Sequence, residues 1–300
     1  MITRIISGVV GIVLLVGALI CPYTVVLAGL AALLSAIAVW ELLYNTGKVK
    51  NRVQVIASMM VSAAGVMLMY YVRRLLSEKL LLLDAEVKQL LMILLLLPIA
   101  YGLFTVVMYL FNSKKMTVND ACYGYLMTLY PALGFGCMMM LRETFNHGIW
   151  HLILLLMIAW VNDTGAYFVG TFLGKHKMAP KISPNKSWEG FVGGWIIAVL
   201  SAVGLFILRF NVDGGYGVGL FVTLRFFLPV VVLLTPLSVV GDLLASVIKR
   251  QCGIKDFGNI MPGHGGVMDR FDSVIFIAPI LYVVAVNATS MMNFLAGLVR

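Results

Sequence analysis

Hydrophobic residues run through this chain in blocks too long for the helices of a soluble core. Nine apolar stretches can be drawn, at about 5–21, 24–44, 53–72, 89–111, 121–141, 149–172, 190–208, 226–248 and 273–289. A helix rising ~1.5 Å per residue needs about 20 apolar residues to cross a hydrocarbon layer of ~30 Å. Inside that layer the backbone must satisfy its own hydrogen bonds, which leaves helices as the natural solution. The pattern predicts an all-α polytopic integral membrane protein with about nine transmembrane helices. The first stretch is short enough to resemble the apolar part of a signal peptide. No small-residue cleavage site follows it, and Cys21-Pro22-Tyr23-Thr24 reads as a tight turn, so it is expected to form a hairpin with the second. Residues 73–88 mix leucine with both signs of charge and are expected to lie as a helix in the outer interface.

Composition sharpens this picture. The chain of 300 residues is 61% hydrophobic and 12% charged, with a mean hydropathy of +1.00; soluble domains are closer to half apolar and a quarter charged. No polar segment is long enough to enclose a core of its own. The four cysteines are scattered without CxxC spacing, which argues against a disulfide framework or a zinc site.

Charge adds direction. The net charge of +9 suits anionic headgroups and phosphorylated ligands. Its basic residues are spread over short loops rather than along one face, which excludes nucleic acid as a partner. With the amino terminus inside, 14 of the 22 Lys and Arg fall on the cytoplasmic side. That bias predicts a cytoplasmic amino terminus and an outside carboxyl terminus. The expected organisation is a scaffold of about five spans over 1–148 and a catalytic membrane region over 149–300. The latter's loops 173–189 and 249–272 face the cytoplasm, where nucleoside triphosphates are found.

Three constellations carry candidate chemistry. Asn162 and Asp163 lie inside an apolar span, where an ionised carboxylate facing lipid costs at least about 2.5–3.5 kcal/mol and so should face water, a cation or a basic partner. The loop after them supplies Lys175, Lys181 and Lys186, point charges suited to phosphate, with Pro180 and Pro184 restricting it. Asp242, Ser246 and Lys249 stand at i, i+4 and i+7 and share one helical face. Asp163 and Asp242 fall at comparable depth, which suggests one polar funnel.

The third constellation is the run Ser246–Asp272, dense in charge and glycine. Asp269 and Asp272, three apart, repel unless a cation or arginine lies between them. Arg250 and Arg270 are the structural alternative to a metal. Oxygen-only ligands favour Mg²⁺ over zinc. Gly265 and Gly266 follow Pro262-Gly263-His264 in a turn whose N–H groups could cradle phosphate. His147 and His151, with no acid nearby, are expected at the outer interface.

At these residues the chain resembles the phosphatidate cytidylyltransferase (CDP-diacylglycerol synthase) family. Ser246, Lys249-Arg250, Lys255-Asp256, His264-Gly265-Gly266 and Asp269-Arg270-Phe271-Asp272 are similar to its signature in order and spacing. So are the runs around Asn162–Tyr167, Ser183–Gly190 and Gly241-Asp242, a likeness covering about residues 158–273. The resemblance implies transfer of CMP from CTP to phosphatidic acid, giving CDP-diacylglycerol and pyrophosphate, in a multi-pass homodimer of a bacterial-type inner membrane. It implies Mg²⁺, as one or two ions, and leaves a monovalent cation open. Asp242 and Asp269 are the metal ligands it implies, with Asp163, Asp256 and Asp272 as further ligands or their supports. Lys249, Arg250 and Arg270 would then grip the triphosphate, and Lys175, Lys181 and Lys186 the lipid phosphate or nucleotide.

Two other readings stay open at this point. A CTP-dependent lipid kinase would transfer the γ-phosphoryl group to an alcohol and would need a base. An ion-coupled transporter would use the intramembrane acids but leave the 249–272 run without a purpose.

Overall fold

The structure is a computed structural model that describes residues 17, 24–78, 85–114, 116–144, 148–214, 219–260 and 265–298. Among the described residues eight helices are long and apolar enough to cross a membrane, and the chain is a helical multi-pass membrane protein. They are α1 (Thr24–Trp40, continued by a π-helical turn, Glu41–Asn45), α2 (Arg52–Glu78), α3 (Ala85–Phe111), α4 (Val118–Arg142), α5 (Gly148–Leu173, π-helical over Met157–Val161), α6 (Trp188–Asp213), α7 (Leu220–Gln251) and α8 (Met268–Leu298). They coincide with the second to ninth apolar stretches; apart from Gly17, the expected first span lies outside the described residues.

Two expectations change. Residues 73–78 complete α2 and 85–88 open α3, so these parts of 73–88 extend spans instead of forming a helix of their own. At 27 residues, α2 is about 40 Å long and outruns the hydrocarbon layer, which carries its charged end to the headgroups. The segment 173–189, read as a loop, contains an antiparallel hairpin of β1 (Lys177–Ala179) and β2 (Ser183–Ser187). Its strands are short and polar, so no apolar alternation announces them. Lys177 pairs with Ser187 and Ala179 with Ser183, with a register shift between them.

The chain divides into two compact units. One gathers the residues up to Glu143 with Lys249–Phe271; the other gathers Thr144–Ile248 with the residues from Asp272 onward. In the first, Val39, Leu43, Val49 and Val55 form a core cluster against which Trp40, Met59, Tyr123 and Met127 pack. Hydroxyls buried between its helices answer one another. Ser35 Oγ lies 2.6 Å from Ser62 Oγ, and the Tyr101 hydroxyl lies 2.5 Å from Ser58 Oγ and 3.0 Å from Thr128 Oγ1. The π-helical turn ending α1 departs from the i to i−4 ladder, and the Leu42 carbonyl accepts from Thr46 Oγ1 at 2.6 Å and the Tyr123 hydroxyl at 3.0 Å.

In the second unit α5 and α6 approach closely along glycines. A Cβ on Gly194 would meet the Asn162 carbonyl and the Ala166 backbone nitrogen, and one on Gly165 would stand 3.2 Å from Gly194 Cα. This is the small-residue helix contact that membrane interiors favour. Pro236, inside α7, has no N–H to offer the Val232 carbonyl. The Trp195 indole from α6 donates to that carbonyl at 3.1 Å instead. His151, expected at the interface, is buried: it hydrogen-bonds Thr144 Oγ1 at 2.8 Å and its ring centroid lies 5.9 Å from that of Phe227. Its burial is a consequence of how the helices pack, which spacing alone does not reveal; His147 lies outside the described residues.

Candidate active site

In the first unit the site is built around Asp269, in the first turn of α8. Lys249 Nζ lies 2.8 Å from its Oδ1, with the side chains only 13% and 6% exposed. The backbone N–H groups of Phe257 and Gly266 donate to its Oδ2 at 2.8 and 3.0 Å. The ammonium also lies 5.3 Å from the Phe257 ring centroid, a cation–π contact. Lys249 reaches this point because α7 ends there in a Schellman cap. Gly253, at φ 69°, donates to the Arg250 carbonyl and Ile254 to that of Lys249. Gly265, at φ 86°, makes the second left-handed turn, beside the Asp269 carboxylate.

A residue that the sequence reading passed over holds the same loop. Glu41, wholly buried at the end of α1, accepts the Val267 N–H at 2.9 Å on Oε1 and the Met268 N–H at 2.8 Å on Oε2. Its carboxylate thus covers N–H groups that the start of α8 leaves open, where negative charge is favoured. A Cβ on Gly258 or on Gly266 would run into that carboxylate. Four residues on, Asn45 Nδ2 donates to the Phe257 carbonyl at 2.7 Å. The signal was present: an acid in an apolar span is the anomaly that singled out Asp163 and Asp242, and Glu41 meets the same test.

In the second unit Asp242 on α7 forms an ion pair with Lys186 of β2, both side chains about three-quarters buried. Gly241 lets α7 lie against α8, since a Cβ there would come within 3.0 Å of the Asp272 carbonyl. The hairpin that carries Lys186 is fastened at both ends. Ser187 caps α6 by accepting the Gly190 N–H at 3.1 Å. Glu189 accepts the N–H groups of Lys175 and His176 at 3.1 and 3.2 Å and meets His176 Nδ1 at 2.6 Å. Asn162 is buried, its Nδ2 3.4 Å from Ser238 Oγ on α7, and Asp163 beside it is half-buried. Gly165 and Gly170 serve helix packing, against Gly194 and Gly190 of α6.

The remaining candidates are distributed as follows. Lys175 and Lys181 are exposed, as are Arg250, Lys255, Asp256 and Arg270. Ser246 is buried on α7. Asp272 is buried on α8, with its Oδ1 accepting the Ser273 N–H at 2.7 Å. The Gly266 N–H, proposed for phosphate, is taken by Asp269. His264 lies outside the described residues. Burial pushes the Cys252 thiol up, against the opposing pull of Lys48 and Thr46, which disfavours a reactive thiolate.

Over residues 2–287 the chain matches the profile described as the cytidylyltransferase family. The chain belongs to that family. Among its relatives are proteins named phosphatidate cytidylyltransferase from Staphylococcus saprophyticus and Staphylococcus haemolyticus, each 36% identical over 177 residues, or 59% of this chain and 63% of the relative. The counterpart of the same name from Staphylococcus aureus is 36% identical over 187 residues, 62% of this chain and 67% of the relative. The matched part therefore spans somewhat under two thirds of the length of the first two.

In each unit the carboxylate is an oxygen donor of the kind that a hard divalent cation takes. Asp269 in the first unit and Asp242 in the second each offer carboxylate oxygens, and Mg²⁺ is commonly held by one or two carboxylates, with water and substrate phosphates completing its shell. Among the described residues no group of three or more His, Cys, Asp or Glu converges. In each unit a lysine ammonium already faces the carboxylate.

Proposed function

We propose that this cytidylyltransferase moves CMP from CTP onto phosphatidic acid, releasing CDP-diacylglycerol and pyrophosphate. The supporting observation is the Asp269 cluster: a carboxylate set by two backbone N–H groups beside a lysine ammonium, in the loop that resembles the family signature. A phosphate oxygen of phosphatidic acid would attack the α-phosphorus of CTP as the bond to the β-phosphate oxygen breaks, and that oxygen leaves on pyrophosphate. The second pKa of a phosphomonoester is about 6, so the attacking phosphate is largely dianionic at neutral pH and needs no base. What remains is alignment and charge neutralisation.

Asp269 in the first unit, and Asp242 with Asp163 as a further ligand in the second, would serve as Mg²⁺ ligands; when bound, the metal supplies positive charge to the reacting phosphates. Lys249, Arg250 and Arg270 would grip the triphosphate and the departing pyrophosphate, and Lys175, Lys181 and Lys186 would hold the lipid phosphate or close over the nucleotide. Glu41 and Asn45 would act one step back by fixing the loop that positions Asp269. A cytoplasm-facing site in a bacterial inner membrane, with the amino terminus inside, the carboxyl terminus outside and two copies per assembly, completes this reading. Purified protein given phosphatidic acid, Mg²⁺ and CTP labelled at the α-phosphate should yield labelled lipid. Label entering lipid only from γ-labelled CTP would overturn nucleotidyl transfer in favour of a kinase.

A further inference from the structure

A polar hollow of about 590 Å³ lies in the first unit, and none of its lining residues belongs to the signature run. Lys48, Lys50, Asn51, Gln54, Asn112 and Asp120 are among the residues that line it. Its walls come mainly from the connections joining α1 to α2 and α3 to α4, so it lies at the face where those four helices end. Two features of its chemistry stand out.

The first is Gln54. Its side chain is wholly buried, and among the described residues neither Nε2 nor Oε1 has a hydrogen-bond partner. It lies over Gly124, where any Cβ would come within 2.9 Å of Nε2, so the glycine makes room for an amide that no described residue satisfies. A buried amide without partners is unfavourable, and a leucine of similar size would avoid the cost.

The second is the local charge. Lys48 and Lys50 bring two ammonium groups, and α2 begins beside them, with Asn51 Oδ1 accepting the Val53 N–H at 3.0 Å. The start of a helix adds further positive potential. Asp120 also lines the hollow and sets one negative charge against the two ammonium groups, so the balance stays positive; its carboxylate is turned to the Thr117 N–H at 3.0 Å and the Thr117 hydroxyl at 2.8 Å in the capping box of α4.

We propose that this hollow is a binding site for a phosphate-bearing anion, held by Lys48, Lys50 and the Gln54 amide. The ammonium groups and Nε2 donate to phosphate oxygens, while Oε1 needs a donor in return. A phosphate that keeps one proton, or a phosphodiester with a neighbouring hydroxyl, supplies both. Such a group arrives either on an anionic lipid with a hydroxylated headgroup or as a soluble phosphate. The inference is independent of the transfer reaction.

The test uses the full chain, with two probes. Retention of phosphatidylglycerol against phosphatidylcholine is read by native mass spectrometry, and binding of inorganic pyrophosphate by titration. Variants are Lys48→Ala/Lys50→Ala, Gln54→Leu, and Lys114→Ala as a control for general surface charge, since Lys114 is exposed and outside the lining. The double lysine variant should weaken one probe by about tenfold or more, as expected when charge-assisted hydrogen bonds are lost. Gln54→Leu should weaken the same probe without lowering Tm. Loss confined to phosphatidylglycerol assigns a lipid, and loss confined to pyrophosphate a soluble anion. The proposal is overturned if the double lysine variant binds both probes as the wild type does, or if Lys114→Ala weakens binding equally. Should Gln54→Leu fail to insert, the lysine variants decide alone.

Discussion

A carboxylate inside an apolar helix is costly unless something donates to it, and Glu41 is answered by two backbone N–H groups from the start of α8. Glutamine keeps its volume but removes the charge and turns one acceptor into a donor facing an N–H. Glu41→Gln is therefore expected to lower kcat by about 10–100-fold, the range seen when the supports of a metal ligand are removed. The Km for CTP should change less, and membrane insertion should stay normal; kinetics in detergent micelles would check this. Unchanged kcat with a lowered Tm would assign Glu41 to stability alone. Asp269→Asn strikes the same cluster directly, placing an amide against Lys249 and two N–H donors. It should abolish CMP transfer with insertion intact, and full activity at limiting Mg²⁺ would remove Asp269 from the metal role.

At the scale of elements, the contact between α6 and α7 shows how a proline is tolerated within a span. The Val232 carbonyl, left open by Pro236, is closed by the Trp195 indole. Trp195→Phe keeps an aromatic ring and removes the donor, so it should cost about 1 kcal/mol, seen as a lower Tm. In a Pro236→Ala background the backbone N–H returns to that carbonyl, and the cost of Trp195→Phe should shrink; equal costs in both backgrounds would rule out the coupling. The π-helical turns belong to this scale as well. Each adjoins a polar residue in an apolar span, Glu41 in one and Asn162 in the other. That is the company π-helical turns often keep at functional sites.

For the whole molecule, the charge bias of the loops leads to an expectation about sidedness. If the loops carrying Lys186 and Lys249–Asp272 face the cytoplasm, inverted membrane vesicles should convert added CTP, and right-side-out vesicles should do so only once permeabilised. Activity in sealed right-side-out vesicles would reverse the topology.

Eight spans were legible from hydropathy because a lipid-crossing helix must be apolar along its whole length, which leaves a long, redundant trace; the stretch drawn at 89–111 returns as Gln89–Phe111. The hairpin over 177–187 left no such trace, since its short, polar strands are held by caps at Ser187 and Glu189. The chemical residues were also visible by type: intramembrane acids, a lysine-rich segment, and a run dense in glycine and charge. What sequence alone determined was therefore the class of the protein and the stock of groups at its disposal, because both follow from local composition and spacing. Only the tertiary structure decided the pairings, Lys249 with Asp269, Lys186 with Asp242, and Glu41 with the N–H groups of residues 267 and 268. Such partners lie as far as 227 positions apart, and a hydrogen bond across that separation is set by how helices pack, a property that no local window of sequence contains.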